Sequence, residues 1–224
     1  MDLKIKDVAE LLQVDEKTIT KWIDEGKIPC YKINYQFRFN REELNEWILT
    51  NKVDASPAVM EAQSPDSPVD IIECLDRGGI YYKVPGDTVE MVIRNSMSAV
   101  ALPPRMDRDL IIFHLLKREA MMPTAVGEGI AIPHPRVPIL SDINNESISI
   151  CFLEQPVDFK ALDKIPVSVM FIVLSANQCR HLEMLFKISN LCRQPEFLAI
   201  LKQQAPKEKI LEYILEIQKK NWGR

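Results

Sequence analysis

Residues 167–174 read Val167-Ser168-Val169-Met170-Phe171-Ile172-Val173-Leu174, and residues 147–153 read Ser147-Ile148-Ser149-Ile150-Cys151-Phe152-Leu153. The first is a nearly continuous apolar run and the second alternates, so both are strands. Helical patterns surround them at 69–76, 87–97, 107–119 and 178–192. The second opens with Asp87-x-x-Glu90 and buries Val89, Val92, Ile93 and Met97; the last turns Leu182, Leu185 and Ile188 inward. Two further helices, 195–204 and 206–219, each carry a proline near their start. Helices interleaved with buried strands define a layered α/β domain.

Upstream of that domain, residues 54–68 read Asp-Ala-Ser-Pro-Ala-Val-Met-Glu-Ala-Gln-Ser-Pro-Asp-Ser-Pro. Three prolines with small and polar residues mark a linker. The expected organisation is therefore a domain at 1–52, a linker at 53–68 and a second domain at 69–224. In the first domain, 6–13 carries Val8, Leu11 and Leu12 at helical spacing. Asp15 caps a second helix bearing Ile19, Trp22 and Ile23, which stops at Gly26. Two short strands, 30–33 and 36–39, join at Asn34-Tyr35. Asn40 with Glu43 then starts a closing helix that packs Leu44, Trp47 and Ile48. This order describes a small winged helix-turn-helix.

The 224-residue chain is 46% hydrophobic and 27% charged with a mean hydropathy of −0.10, which places it among soluble globular proteins. It has neither an apolar run long enough to span a bilayer nor signal-peptide regions at its start, so a cytoplasmic location is expected. Five scattered cysteines without a Cys-x-x-Cys pair argue against a disulfide framework or a zinc site. The net charge of −4 supplies no bulk field toward nucleic acid or anionic membrane.

The chemistry concentrates in Gly127-Glu128-Gly129-Ile130-Ala131-Ile132-Pro133-His134-Pro135-Arg136. A short strand, 130–132, runs into a histidine bracketed by two prolines whose φ is fixed and which have no N–H. His134 is thus expected at the end of a strand on stiff backbone, open to a ligand. Neutral imidazole is a competent nucleophile near neutral pH. His114, four residues before Arg118 and on one face with Leu110 and Ile111, is read as peripheral.

Residues 127–134 resemble the phosphorylation-site motif of type-2 enzyme IIA domains, the fructose/mannitol and nitrogen-related phosphocarriers of the bacterial phosphoenolpyruvate-dependent phosphotransferase system. Arg118-Glu119 and Thr124 match that family's positions before the glycines. Asp158-Phe159 and His181-Leu182-x-x-Leu185 match its later motifs in order. The resemblance covers roughly residue 69 to the C-terminus and implies a mixed β-sheet flanked by helices. It also implies that His134 accepts a phosphoryl group from the phosphocarrier protein HPr and passes it on, to an enzyme IIB or to a regulatory target protein. Arg118 offers a guanidinium fork for phosphate oxygens. His181, near a helix start, can donate to the phosphoryl group or orient His134, and Thr124 can add a hydroxyl. Pro135 stands where that family commonly has a small residue, which removes one backbone N–H. Neither a glycine-rich nucleotide loop nor a carboxylate cluster for Mg²⁺ accompanies the motif, so no cofactor or metal is expected and the donor should be a phosphoprotein.

The first domain is similar to excisionase-type, MerR-related helix-turn-helix domains through Lys6-Asp7-Val8-Ala9-Glu10-Leu11-Leu12-x-Val14, the 18–22 helix, Gly26-Lys27-Ile28-Pro29, Arg38-Phe39 and Glu43-Leu44-x-x-Trp47. Lys17, Thr20 and Lys21 lie opposite the apolar stripe, with Lys32, Gln36 and Arg38 on the ribbon, as residue types that contact phosphates and base edges. Residues 1–50 hold eight Lys/Arg against ten Asp/Glu. Monomeric binding to DNA should therefore be weak, and a homodimer or a protein-binding role stays open. The combined reading is a two-domain phosphocarrier of regulatory character. Two alternatives stay open: a DNA-binding regulator whose second domain only senses, and a sugar-transport component whose helix-turn-helix mediates protein contact.

Overall fold

The computed structural model describes residues 3–12, 14–33, 36–40, 43–44, 47, 68–103 and 106–222. The chain divides into two compact units, Met1–Asp66 and Ser67–Arg224. The expected linker at 53–68 lies, apart from Pro68, outside the described residues.

In the first unit, α1 (Ile5–Leu12) buries Val8, Ala9 and Leu12. Asp15 accepts the Thr18 N–H at 2.7 Å and so satisfies an orphan donor at the start of α2 (Glu16–Asp24). β1 (Tyr31–Ile33) and β2 (Gln36–Arg38) pair antiparallel, and Leu3 bridges to Phe39 beside them. Asn40 accepts from Glu43 N at 3.3 Å, as the sequence pattern suggests. Ile19, Ile23, Phe39, Leu44 and Trp47 close one apolar core. Trp22, expected inward, is half-buried and lies 5.5 Å from the Trp47 ring. The turn at 34–35 and Ile48 lie outside the described residues.

The second unit runs α3 (Ile71–Gly78), β3 (Ile80–Val84), α4 (Val89–Ala99), α5 (Arg108–Met121), β4 (Ala125–Gly127), β5 (Ile130–Ala131), β6 (Ser147–Val157), β7 (Val167–Leu174), α6 (Gln178–Cys192), α7 (Pro195–Lys202) and α8 (Lys207–Asn221). Its five-stranded sheet has the order β3-β6-β7-β5-β4. β3 is parallel to β6 and β5 to β7, while β6 is antiparallel to β7 and β4 to β5. The sheet is therefore mixed. Cys151, Leu153, Met170 and Ile172 meet Val92, Ile93, Met97, Ile111 and Leu115 from α4 and α5 in one core. On the other face Phe171 approaches Phe197 of α7, ring centroids 6.4 Å apart.

Differences from the sequence boundaries have local causes. α3 begins two residues later than expected because the Asp70 carboxylate caps it, accepting from Ile72 N at 2.8 Å and Glu73 N at 3.1 Å. Val69 instead anchors the entry to the unit: its N–H donates to Glu183 at 3.0 Å and its carbonyl accepts from Lys187 at 2.6 Å. Thr88 likewise caps α4 and delays its start. β6 extends past 153 through an irregularity between Phe152 and Val157.

α3 lies almost in contact with the backbone of β6. A Cβ on Gly78 would sit 2.1 Å from the Ile148 carbonyl oxygen, a backbone atom that cannot swing aside. Gly78→Ala should therefore push α3 off the sheet. The expected loss is about 1–3 kcal/mol or more of unfolding free energy in a urea titration, and an unchanged midpoint would contradict this packing.

Candidate functional site

His134 follows a segment whose backbone is clamped on both sides. Ile132 N donates to Thr124 O at 3.0 Å, and Val173 N donates to Pro133 O at 3.0 Å. The turn before it, at 127–129, has φ of +88°, +56° and +76°, a left-handed run that glycine adopts readily at its first and third positions. Glu128, the non-glycine in that run, is held by its N–H donating to Asp163 at 2.8 Å.

The His134 Nδ1 lies 2.7 Å from the Ile132 carbonyl oxygen. A carbonyl only accepts, so Nδ1 carries the proton and Nε2 of the neutral ring keeps its lone pair. The second histidine meets it here: the His134 and His181 ring centroids are 4.9 Å apart, tilted by 57°. His181 is in the first turn of α6, where Asn177 caps the helix by accepting from Arg180 N at 3.0 Å. Its Nδ1 is 3.1 Å from the Ser175 hydroxyl. Both rings are more enclosed than a strand-end presentation suggests, at 4% exposure for His134 and 1% for His181. Each shields the other.

The start of α6 is fixed from below by Glu146, just before β6. Its carboxylate accepts from Arg180 Nε at 2.5 Å and from Ala176 N at 2.9 Å, and it is fully buried. Buried charge of this kind is tolerable only when paired and hydrogen-bonded, as it is here.

Arg118 and Thr124 are also buried, at 4% and 3% exposure. Arg118 Nη1 donates to Met122 O at 2.7 Å and so caps the end of its own helix. Thr124 uses its hydroxyl differently from the reading that it serves a ligand. The hydroxyl donates to one Glu119 oxygen, and Thr124 N donates to the other at 3.0 Å. Burial pushes the Glu119 carboxyl above its ordinary range, against the two Thr124 hydrogen bonds and the nearby Arg118 charge. His114 stands edge-on to Phe113, ring centroids 5.5 Å apart. Sequence reasoning missed Ser175, Glu146 and the role of Glu119, because each acts on a partner brought near by folding.

In the first unit, Lys17, Thr20 and Lys21 are exposed on one face of α2. Acidic neighbours Glu16, Asp24 and Glu25 share that face, and Glu25 pairs with Lys27 at 2.7 Å. Thr20 donates its hydroxyl to Glu16 O at 2.8 Å. On the ribbon Lys32 lies over the Phe37 ring at 4.8 Å, and Arg38 donates to Gln36 at 2.7 Å.

Residues 73–217 match the family described as phosphoenolpyruvate-dependent sugar phosphotransferase system, EIIA 2, and residues 3–52 match a helix-turn-helix domain family. The nitrogen regulatory protein of Pseudomonas aeruginosa is 31% identical over 149 residues, covering 65% of this chain and 95% of that one. The transcriptional repressor DcmR of Methylorubrum extorquens is 43% identical over 67 residues, 29% of this chain and 25% of the repressor. The fold of the second unit is that of the nitrogen regulatory protein IIA-Ntr of Neisseria meningitidis, with a TM-score of 0.52 at 20% identity over 64% of this chain and 94% of that one. Among the described residues no helix is long and apolar enough to cross a membrane.

The raised carboxyl of Glu119 fixes the sign of a pH effect. A folded value above the unfolded one means that the folded state binds the proton more tightly. The resulting stabilisation is full below the unfolded value and is lost as pH rises through the folded one. Wild type should therefore gain stability relative to Glu119→Gln between about pH 7 and about pH 4. Paired urea titrations check this, and a difference that moves the other way counts against a raised carboxyl.

Proposed function

Since the chain belongs to the phosphoenolpyruvate-dependent sugar phosphotransferase system EIIA 2 family, we propose that it is a phosphoryl carrier with a regulatory output, charged by HPr at His134. The observation that carries this reading is the Nδ1 contact to the Ile132 carbonyl at 2.7 Å, which leaves Nε2 as the nucleophile. In the transfer, the Nε2 lone pair attacks the phosphorus of phospho-HPr in line. The donor's P–N bond breaks as the Nε2–P bond forms; the bonding pair returns to the donor nitrogen, and the donor ring, already protonated on its other nitrogen, leaves as neutral imidazole. His134 keeps its Nδ1 proton on the Ile132 carbonyl, so its ring takes over the positive charge that the donor ring gives up.

The product carries close to two negative charges and needs fixed compensation. The first turn of α6 supplies the positive end of a helix dipole beside His134. His181 supplies a ring N–H there, and Arg118 is the permanent cation of the set. At 4% exposure His134 must be uncovered as the donor docks. The phosphoryl group then passes to an enzyme IIB or to a regulatory target.

The regulatory half of the reading rests on the helix-turn-helix match and on the similarity to a transcriptional repressor. Lys17, Thr20 and Lys21 are the residues that would reach DNA, helped by Lys32 and Arg38. With acids on the same face, affinity per copy is low, and a dimer would double the phosphate contacts. The phosphorylation state of His134 would then report on nitrogen or sugar supply to the DNA-binding domain.

Incubation with enzyme I, HPr and labelled phosphoenolpyruvate should place an acid-labile phosphoryl group on the protein, and His134→Ala should take none. Label that persists in His134→Ala overturns the carrier assignment. A gel shift on the chromosomal region upstream of the gene should appear at low salt and weaken with added salt. It should also weaken roughly tenfold in Lys21→Glu. If no fragment binds at low salt, the output is a protein contact instead of DNA.

A further inference from the structure

A continuous set of hydrogen bonds leads from α5 to the reactive ring. Glu119, in the last turn of α5, accepts from both the N–H and the hydroxyl of Thr124. The Thr124 carbonyl accepts from Ile132 N at 3.0 Å, and the Ile132 carbonyl meets His134 Nδ1 at 2.7 Å. We infer that Glu119 is a positioning residue for His134, acting through Thr124 and Ile132 to hold the imidazole in the tautomer and orientation that aim Nε2 at an incoming phosphoryl group. The inference rests on the phosphocarrier reading above.

Topology explains why such a tether is needed here. β4 is three residues long and forms the edge of the sheet, paired only to the two-residue β5. Two short strands at an edge hold register weakly. The Thr124–Ile132 hydrogen bond is the rung next to that pairing, and the carbonyl that orients His134 belongs to the same residue, Ile132. Movement of Thr124 is therefore passed to the ring through the single residue Ile132. Glu119 fixes Thr124 to the end of α5, a helix whose Ile111 and Leu115 are in the core.

The chemistry of Glu119 points the same way. A half-buried carboxylate is an expensive anchor, and its ionised form lowers stability near neutral pH. A serine or glutamine could staple a loop end without that cost. A carboxylate differs in offering two acceptor oxygens, one for each Thr124 donor. Glutamine keeps one acceptor but turns an NH₂ toward a donor.

The test compares wild type, Glu119→Gln, Thr124→Val and Thr124→Ser as full-length proteins. In ¹⁵N and ¹H spectra of unphosphorylated protein, wild type should show His134 with its proton on Nδ1 in slow exchange with solvent. Glu119→Gln should exchange that proton roughly tenfold faster or more, with signal from the other tautomer appearing. Its maximal rate of labelling from phospho-HPr should fall roughly 10- to 100-fold with the half-saturating HPr concentration little changed. Thr124→Val should fall between, and Thr124→Ser should behave as wild type. A folded Glu119→Gln with the wild-type Nδ1 proton and labelling rate overturns the inference. So does a change in Glu119→Gln that Thr124→Ser reproduces, since that would reflect general loosening of the loop. The spectra need no phosphoryl donor. A wild type that takes no label therefore ends the carrier reading while the Nδ1 response still decides Glu119, and a labelled wild type with an indifferent Glu119→Gln ends only this inference.

Discussion

The antiparallel ladder between β6 and β7 is the constraint on which the second unit depends. It pairs Ser147 with Leu174 and continues in register to Phe152 with Val169. The register matters because side chains alternate faces: one residue of slip would exchange the set facing α4 and α5 for the set facing α7. Cys151, Met170 and Ile172 lie on the first face and Phe171 on the second, all buried. With both faces covered, β7 is locked, and everything nearer the site is measured from it. β5 pairs to it through Ile130 and Ala131, and Val173 N holds the Pro133 carbonyl, one residue from the His134 ring. The loop after β7 then delivers Ser175 and α6 with His181. Both histidines are thus placed by opposite sides or ends of one strand.

That dependence explains what could be read from the residues alone. β7 and α6 have the boundaries that hydrophobic pattern suggests, because tertiary packing and local pattern demand the same thing there. β3 carried no clear signal: Ile80-Tyr81-Tyr82-Lys83-Val84 is an edge strand with both apolar and charged residues partly exposed. β4 was hidden in the flexible-looking Ala125-Val126-Gly127, where the pairing partner, not composition, makes a strand. At the site, the motif marked His134, Arg118, Thr124 and His181. The proximity of the two histidine rings, across 47 positions in sequence, came from the fold alone. The enclosure of His134 was not legible, since it follows from His181 packing against it. The residue type of Thr124 suggests a ligand donor, whereas its hydroxyl donates to Glu119, a pairing that depends on where α5 ends.

The first unit shows a different balance. Its apolar core is small, and several of its surface charges pair with neighbours: Lys6 with Glu10, Lys21 with Glu25 at 3.9 Å, and Lys27 with Glu25 at 2.7 Å. Exposed pairs of this kind add little stability. They do lower the local positive potential that would draw a phosphate backbone. A nucleic-acid partner would have to displace Glu25 from its lysines or bind through geometry and base contacts more than through bulk charge. This would make any such binding sensitive to modest changes in the number of copies engaged.

The second unit buries groups that globular interiors usually avoid. Arg118, Thr124, His181, Glu146 and Arg180 are each at most 7% exposed, and burial pushes the Glu119 carboxyl above its ordinary range. None of this is an efficient way to build a stable core, because each polar group must recover its lost hydration from a placed partner. For the proposed phosphoryl carrier the arrangement would be efficient for receiving charge. Donors and dipoles already fixed around a developing anion need no reorganisation when it arrives, and their effect is larger where water is excluded. A site assembled this way trades folding stability for readiness. His134, at 4% exposure, follows the two-residue β5 beside the edge strand β4, and short strands next to an edge open at less cost than the β6–β7 ladder, as the proposed carrier would require.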